Sequence, residues 1–116
     1  MKTTMKEFER FKKECLRVCK LFGLKDWCIT FSHRKTGGNA SCTLNASIRC
    51  AEFRLSKTVN EWYKGPEWSA KHEVGHILIG RLSDMSKNGE ADWIVDIELE
   101  TFCNSFANGL TEMEAR

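Results

Sequence analysis

The run HEVGH at residues 72–76 constrains the fold more than any other part of this 116-residue chain. Its two histidines stand four residues apart, a spacing that places both side chains on one face if the segment is helical. Apolar residues around the run repeat with the helical period, and they are Trp68, Val74, Ile77, Leu78 and Leu82. Pro66 suits the first turn of such a helix, where its missing N–H costs nothing. The sequence therefore predicts a helix over residues 66–82.

Two further helices are predicted by the same period, over residues 4–22 and 91–110. The first has an apolar face that ends before Gly23, and this face consists of Phe8, Phe11, Cys15, Val18, Cys19 and Phe22. Alternating apolar and polar residues predict strands over residues 27–33, 40–44 and 48–56. A short helix over residues 59–63 and a polar loop over residues 83–89 complete the expected elements. Because no repeats or linkers are visible, we expect a single α+β domain over residues 1–116, with a small antiparallel sheet of about three strands.

The composition excludes several partners and locations. The chain has 18 basic and 16 acidic residues, so a nucleic acid is not an expected partner. No stretch approaches the length of a membrane span, about 20 apolar residues, and the charged N-terminal segment lacks the apolar core of a signal peptide. We therefore expect a protein of the cytoplasm that does not enter a membrane. Its six cysteines contain no CxxC pair, and in a reducing compartment we expect free thiols rather than disulfides or a cysteine metal site.

His72 and His76 are candidate metal ligands, because both imidazoles can reach one ion from adjacent turns of a helix. Zinc binds neutral imidazole readily and is held in catalytic sites by three protein ligands and a water. Glu73, next to the first histidine, then points towards that water rather than the metal, and it is the candidate general base for attack on a carbonyl group. Gly75 costs a helix about 1 kcal/mol relative to alanine, so its presence indicates a close neighbour or clearance on the metal side.

A third protein ligand has to come from outside this helix. The extended pattern HExxHxxGxxH is absent, because Ile79 and Leu82 occupy its glycine and last histidine positions. His33 could reach the site only from the sheet and is the less favoured source. A carboxylate of the last helix is preferred, and the acidic residues there are Glu90, Asp92, Asp96, Glu98 and Glu100.

Helical geometry separates the two leading carboxylates, Glu98 and Glu100. They lie on opposite shoulders of the apolar stripe of the last helix, which consists of Val95, Leu99, Phe102, Phe106 and Leu110. The shoulder of Glu100 also carries Cys103 and Ala107, whose small side chains allow another helix to approach closely. Because a metal shared between two helices requires such an approach, Glu100 is favoured and Glu98 remains the alternative.

The segment HEVGHILIGRL and the later glutamate helix ending in ETFCNSFANGL resemble the small HExxH-plus-glutamate metallopeptidases, the gluzincins. The similarity is greatest to their minimal single-domain versions in bacteriophages and prokaryotes, and it covers roughly residues 27–110. The resemblance implies a zincin-like fold in which His72, His76 and Glu100 hold zinc and Glu73 is the base. It also implies that the strand nearest the active-site helix, taken as residues 48–56, binds an extended peptide by edge pairing.

The expected function is zinc-dependent hydrolysis of peptide bonds in a peptide or protein substrate. Enzymes of this kind often use a tyrosine or histidine to stabilise the oxyanion, and only Tyr63 and His33 are available here, at positions that do not match. The alternative is therefore a catalytically weak or inactive zinc-stabilised interaction module, such as a phage protein acting on a host partner. Two variants of the peptidase hypothesis are a latent enzyme, with a segment of the chain in the cleft, and a regulatory protease that acts on a repressor or toxin.

Overall fold

The helices and strands form close to where the apolar periodicities predict them. The computed structural model describes residues 1–80 and 92–116 and, in the second range, the side chains from residue 96 onward. In this part of the chain the elements are α1 (Met5–Leu21), β1 (Cys28–His33), β2 (Ala40–Asn45), β3 (Cys50–Leu55), α2 (Pro66–Leu78) and α3 (Asp92–Glu114). The described residues thus form a small α+β fold with three helices and one three-stranded sheet. None of these helices is long and apolar enough to cross a membrane.

Some expected boundaries differ from those observed. Residues 59–63 form a turn rather than a helix, in which the N–H of Tyr63 donates to the carbonyl oxygen of Asn60 at 3.2 Å. α2 is described as far as Leu78 with Ile79 as its C-cap, so the predicted end at residue 82 and the loop over residues 83–89 lie outside the described residues. α3 continues beyond the predicted end at residue 110 to Glu114.

α1 begins with a capping box. The Thr4 side chain accepts a hydrogen bond from the N–H of Glu7, and the Glu7 carboxylate accepts one from the N–H of Thr4, which satisfies two unpaired donors of the first turn. The buried face is the predicted one except at its end, and its members are Phe8, Phe11, Cys15, Val18 and Cys19. Phe22 is 42% exposed, because the helix ends at Leu21 and Gly23 turns the chain with a φ of 74°.

The sheet is mixed and not antiparallel, so that part of the expected fold is wrong. Its order is β1-β3-β2, in which β1 pairs with β3 in parallel and β2 pairs with β3 in antiparallel orientation. The short turn at residues 46–49 joins β2 and β3 into a hairpin, which fixes their antiparallel pairing. The prediction failed for β1 because the alternation of apolar residues shows which face is buried but not which strands are neighbours.

The central position of β3 changes the expected place of a bound peptide. Both edges of β3 are hydrogen-bonded to other strands, so the expected edge pairing of a peptide with residues 48–56 is wrong. β2 has a free edge in the described part of the chain, and α2 packs more extensively against β2 than against β3. The strand nearest the HEVGH helix is therefore β2.

The core lies between the sheet and the helices. β3 buries its alternate side chains, which are Ala51, Phe53 and Leu55. α2 is the central helix, because it packs against α1, α3 and β2. Its residues Val74 and Ile77 belong to the same apolar cluster as the β3 side chains. The HEVGH run is consequently carried by a helix that is held on several sides.

α3 approaches α2 closely at Gly75. A Cβ atom built on Gly75 would lie 3.3 Å from Phe106 Cδ2 and 3.4 Å from Cys103 Sγ, so the close neighbour expected at this glycine is present. The side chains that α3 buries are Cys103, Ala107 and Leu110. Phe102, a member of the predicted apolar stripe, is 40% exposed. The buried face of α3 is therefore rotated towards the small residues on the shoulder of Glu100.

Candidate metal centre

α2 carries both histidines of the motif to one side of a cleft. Gly65 precedes the helix with a φ of 96°, which glycine adopts without strain, and Pro66 occupies the first turn. The ring centroids of His72 and His76 are 5.2 Å apart. His72 is buried, whereas His76 is half-buried, and both line the cleft. The two imidazoles thus share a face of the helix, as their spacing predicts.

Glu100 of α3 reaches both histidines. Its Oε2 lies 3.1 Å from His72 Nε2, and its Oε1 lies 2.9 Å from His76 Nε2. The hydrogen bonds from His72 and His76 are the main reason why the pKa of Glu100 lies far below its usual range. The carboxylate therefore joins two helices at the motif, in the position that the small residues beside it predicted.

The other candidates for a third ligand do not lie at the histidine pair. Glu98 and Asp96 are exposed, and neither lines the cleft. His33 belongs to β1 and does not line the cleft either. Glu90 and the side chain of Asp92 lie outside the described residues.

Glu73 lies beside the histidines and is only 5% exposed. Burial raises the pKa of Glu73 to about 7; the charge of His72 opposes this shift, and that of Glu100 adds to it. One ligand atom from each of His72, Glu73 and His76 lies within 4.8 Å of the other two. These three residues could hold a metal ion, so Glu73 and Glu100 are competing choices for the third ligand.

The spacing of the donor atoms favours Glu100. In a tetrahedral zinc site with bonds of about 2.0–2.1 Å, neighbouring ligand atoms are about 3.3 Å apart. The Glu100 oxygens approach this spacing to both Nε2 atoms, at 3.1 and 2.9 Å, whereas Glu73 Oε2 lies 3.9 Å from His72 Nε2. Two imidazoles and one carboxylate are also a ligand set that catalytic zinc accepts. The side chains present therefore fit zinc, with Glu73 left for a different role.

Trp68 packs against the ring of His72. The ring centroids are 5.3 Å apart with an interplanar angle of 29°, and Trp68 Nε1 donates to Asn108 Oδ1 of α3 at 2.9 Å. His72 Nδ1 is buried and has no hydrogen-bond partner among the described residues. Metal-binding histidines usually donate this second N–H to an acceptor. Here the stacking on Trp68 orients the His72 ring together with the contact to Glu100.

This supporting pair is absent from the expectations drawn from the sequence. The helical period places Trp68 in the apolar stripe of its helix, and no pattern indicates a role for Asn108. The one sequence signal for the stacking is that Trp68 precedes His72 by four residues, which places the two rings on one face. The bond to Asn108 depends on the packing of α3 against α2, which no local pattern specifies.

The cleft beside the histidines has a volume of about 420 Å³. One wall consists of residues 62–64 and α2, and the opposite wall consists of residues 38–42, which lead into β2. Trp62 lines the cleft and is 73% exposed. No residue of α1 lines this cleft. The packing of α1 therefore does not support a latent form in which the N-terminal helix occupies the site.

Neither candidate for oxyanion stabilisation is directed at the histidine pair. Tyr63 lines the cleft, but its hydroxyl donates to Glu7 Oε2 at 2.9 Å. Burial and, next, this hydrogen bond raise the pKa of Tyr63. The Nε2 atom of His33 lies 2.7 Å from Thr3 Oγ1, and its ring stacks on Phe8. His33 therefore takes part in packing between α1 and the sheet.

A buried ion pair lies next to the HEVGH run. Lys71 Nζ is 2.9 Å from Glu14 Oε2, and the two side chains are only 8% and 11% exposed. Arg17 of α1 donates to Glu14 and also to Glu114 of α3. The network thus links all three described helices one residue before His72. Glu14 and Arg17 are three residues apart on α1, but the links to Lys71 and Glu114 join segments that are distant in sequence, so no local pattern predicts them.

Comparisons of the chain with protein-family models, with curated proteins and with solved structures found no match in any of the three. What the chain can do chemically is therefore inferred from the side chains around His72, His76 and Glu100.

Proposed function

We propose that the chain is a zincin-like, zinc-dependent metallopeptidase that hydrolyses peptide bonds in peptide or protein substrates. The observation that supports this best is the Glu100 carboxylate, which meets the Nε2 atoms of both His72 and His76 from a second helix. A HExxH helix completed by a glutamate of a later helix is the arrangement of the gluzincins that the sequence resembles.

Each side chain of the cluster has a distinct role in this proposal. His72, His76 and Glu100 hold the zinc ion. Zinc, when bound, supplies a Lewis acid that polarises a carbonyl group and acidifies water. Glu73 is buried in the same cleft, and its carboxylate takes the proton of the attacking water as general base.

The free edge of β2 supports the binding of an extended peptide. Residues 38–42 all line the cleft, although successive side chains of a strand point to opposite faces. When consecutive residues of a strand all line one cavity, the cavity lies along the backbone edge of that strand. This edge of β2 pairs with no other strand in the described part of the chain. A peptide can therefore add to the sheet beside β2 through main-chain hydrogen bonds. In this proposal β2 replaces residues 48–56 as the strand that holds the substrate.

The zinc-stabilised interaction module is the second candidate, and the position of Tyr63 favours it. The chain has a single tyrosine, and its hydroxyl is engaged by Glu7. A peptidase of this kind would lack a common helper for the oxyanion. A module that binds zinc for stability and uses the cleft only to hold a partner needs no such helper.

Metal binding is tested first. The wild-type chain and His72→Ala, both purified without added chelator, are compared for zinc content by mass spectrometry. We expect about one zinc per wild-type chain and little in the variant, since two remaining ligands hold zinc weakly. Equal zinc contents in the two proteins would reject this site for both candidate functions.

Peptide hydrolysis is tested separately with zinc-loaded protein and Glu73→Gln as the matched variant. Glutamine keeps the size of the side chain but cannot accept the proton, so we expect the variant to lose at least about 100-fold in kcat. An unfolded protein and a mixture of random peptides serve as substrates, with cleavage followed by mass spectrometry. Zinc-loaded wild type that cleaves no more than Glu73→Gln would reject the peptidase, and unfolding on chelation would then support the module.

A further inference from the structure

A basic pocket lies on the outer face of the sheet, next to the cleft. It has a volume of about 360 Å³ and is lined by Arg34, Lys35, Thr36, Gly37, Ser41 and Arg54. Ser41 lines the cleft as well. The two cavities therefore meet at β2, the strand whose free edge is the proposed place for a substrate peptide.

The side chains of β2 alternate between the core face and the outer face of the sheet. Ala40, Cys42 and Leu44 pack against the apolar core. Because side chains alternate along a strand, Ser41 points to the outer face. A peptide strand added beside β2 has the same alternation, so one of its side chains lies on the outer face next to Ser41.

Arg54 extends towards that position. It pairs with Ser41 across β3 and β2 in the sheet register, and its Nη1 donates to Ser41 Oγ at 3.1 Å. Its Nη2 donates to Glu52 Oε1 at 2.7 Å, whereas its Nε is buried without a hydrogen-bond partner among the described residues. The guanidinium thus lies over β2. A peptide strand added beside β2 is one strand spacing away, about 4.8 Å.

The pocket has an excess of positive charge. Its cationic side chains are Arg34, Lys35 and Arg54. The carboxylate that pairs with them is Glu52, whose Oε1 lies 2.7 Å from Arg54 and 3.8 Å from Arg34. Three positive charges against one negative charge leave two in excess among these residues. Lys35 is exposed, so it can reach a ligand at the edge of β2.

We infer that this pocket is a subsite for an acidic side chain of the peptide bound along β2. A glutamate or aspartate next to Ser41 accepts charge-assisted hydrogen bonds from the Arg54 guanidinium and from Lys35. The inference rests on the proposed function in one respect, which is that an extended peptide occupies the cleft. It adds the substrate class, peptides with a carboxylate at one fixed position.

The inference is tested by peptide binding, which does not require turnover. A displayed library of random peptides is selected on zinc-loaded Glu73→Gln. One selected peptide and its version with the acidic residue replaced by the corresponding amide are then compared by fluorescence anisotropy. We expect an acidic residue at one position of the selected peptides and about twofold to fivefold weaker binding of the amide version.

Lys35→Glu places a negative charge in the pocket without disturbing a buried contact, because Lys35 is exposed. We expect it to weaken binding of the acidic peptide and to leave binding of the amide version unchanged. Lys25→Glu is the matched control, since Lys25 is also exposed but precedes β1 and does not line the pocket. Arg54→Gln is a second test, with circular dichroism to verify folding.

The outcomes separate this inference from the proposed function. Each of three results would overturn the inference. The selected peptides could show no acidic preference, the preference could be unchanged in both Lys35→Glu and Arg54→Gln, or no peptide could be selected. Cleavage of the selected peptides by the wild type is measured independently. Acid-dependent binding without cleavage supports the subsite and rejects the peptidase, whereas cleavage without an acidic preference rejects only the subsite.

Discussion

Gly75 of α2 and Cys103 of α3 lie so close that a Cβ atom on Gly75 would be 3.4 Å from the Cys103 sulfur and 3.6 Å from its Cα. Glu100 precedes Cys103 by three residues, about one helical turn. The approach of the two helices at Gly75 therefore determines whether Glu100 can meet both histidines. Gly75 thus affects the site through the packing of α3 against α2.

We expect Gly75→Val to weaken zinc binding by at least about tenfold and to lower stability by about 1–3 kcal/mol, because the added methyl groups push α3 away. Gly75→Ala is the matched control. Its single methyl group meets the adaptable Phe106 side chain at 3.3 Å, and alanine favours the helix by about 1 kcal/mol, so stability should change little. Chelator competition measures the affinity and urea unfolding the stability. Equal zinc affinities in the valine variant and the wild type would contradict the role given to this contact.

Glu100→Gln tests the choice of third ligand. Loss of the carboxylate should weaken zinc binding more than the 10–100-fold typical of residues that only support a ligand. Glu98→Gln changes the same side chain two positions away on an exposed face and should leave the affinity within about twofold. Competition with a chromophoric chelator measures both. A large loss in Glu98→Gln and none in Glu100→Gln would reverse the assignment.

Sequence predicts those features of the site that depend on the periodicity of a single helix. The spacing of His72 and His76 fixes their common face whatever the rest of the chain does. The preference for Glu100 over Glu98 came from Cys103 and Ala107, because small residues mark the face that another helix can approach. Both inferences need only helical periodicity. In the structure the rings of His72 and His76 lie 5.2 Å apart, and the Glu100 oxygens lie 3.1 and 2.9 Å from their Nε2 atoms.

The parts that sequence could not predict depend on contacts between distant segments. The place of β3 between β1 and β2 depends on how the chain crosses the sheet, and strand alternation is the same for either order. The predicted stripe of α3 includes Phe102, which is 40% exposed, whereas the small side chains Cys103 and Ala107 beside Glu100 are fully buried. Hydrophobicity alone favours Phe102, whereas the close approach at Gly75 is made by Cys103 and by the ring of Phe106.

The stacking of Trp68 on His72 leads to a prediction about metal affinity. Trp68→Leu removes the ring that orients His72, and we expect zinc binding to weaken by about 10–100-fold, as for other supporting residues. Trp68→Phe keeps a ring but loses the bond to Asn108, so its loss should be smaller. Trp62→Leu is the control, since Trp62 lines the same cleft but is 73% exposed. A stable Trp68→Leu with wild-type zinc affinity would show that stacking does not position the ligand.

The ion pair between Lys71 and Glu14 makes stability depend on pH. Arg17, through its hydrogen bond, and then Lys71 hold the pKa of Glu14 below its ordinary value of 4.5 in the folded chain, against the effect of burial. A carboxyl group with a lowered pKa in the folded state binds a proton more readily in the unfolded state. Its contribution is therefore present above pH 4.5 and is lost as the pH falls through the folded pKa.

Glu14→Gln should lower the free energy of unfolding by about 2 kcal/mol at neutral pH, because Lys71 then stays buried without its carboxylate partner. The difference from the wild type should narrow in acid, as the pH falls through the folded pKa of Glu14 and the wild-type carboxyl group is protonated as well. Glu9→Gln is the control on the same helix, since its pairing with Lys12 is largely exposed and should contribute less than about 0.5 kcal/mol. Urea unfolding of the metal-free chain at both pH values avoids any contribution from metal release in acid. An equal loss of stability at neutral and acid pH would mean that Glu14 acts through its packing between α1 and α2, and not through its charge.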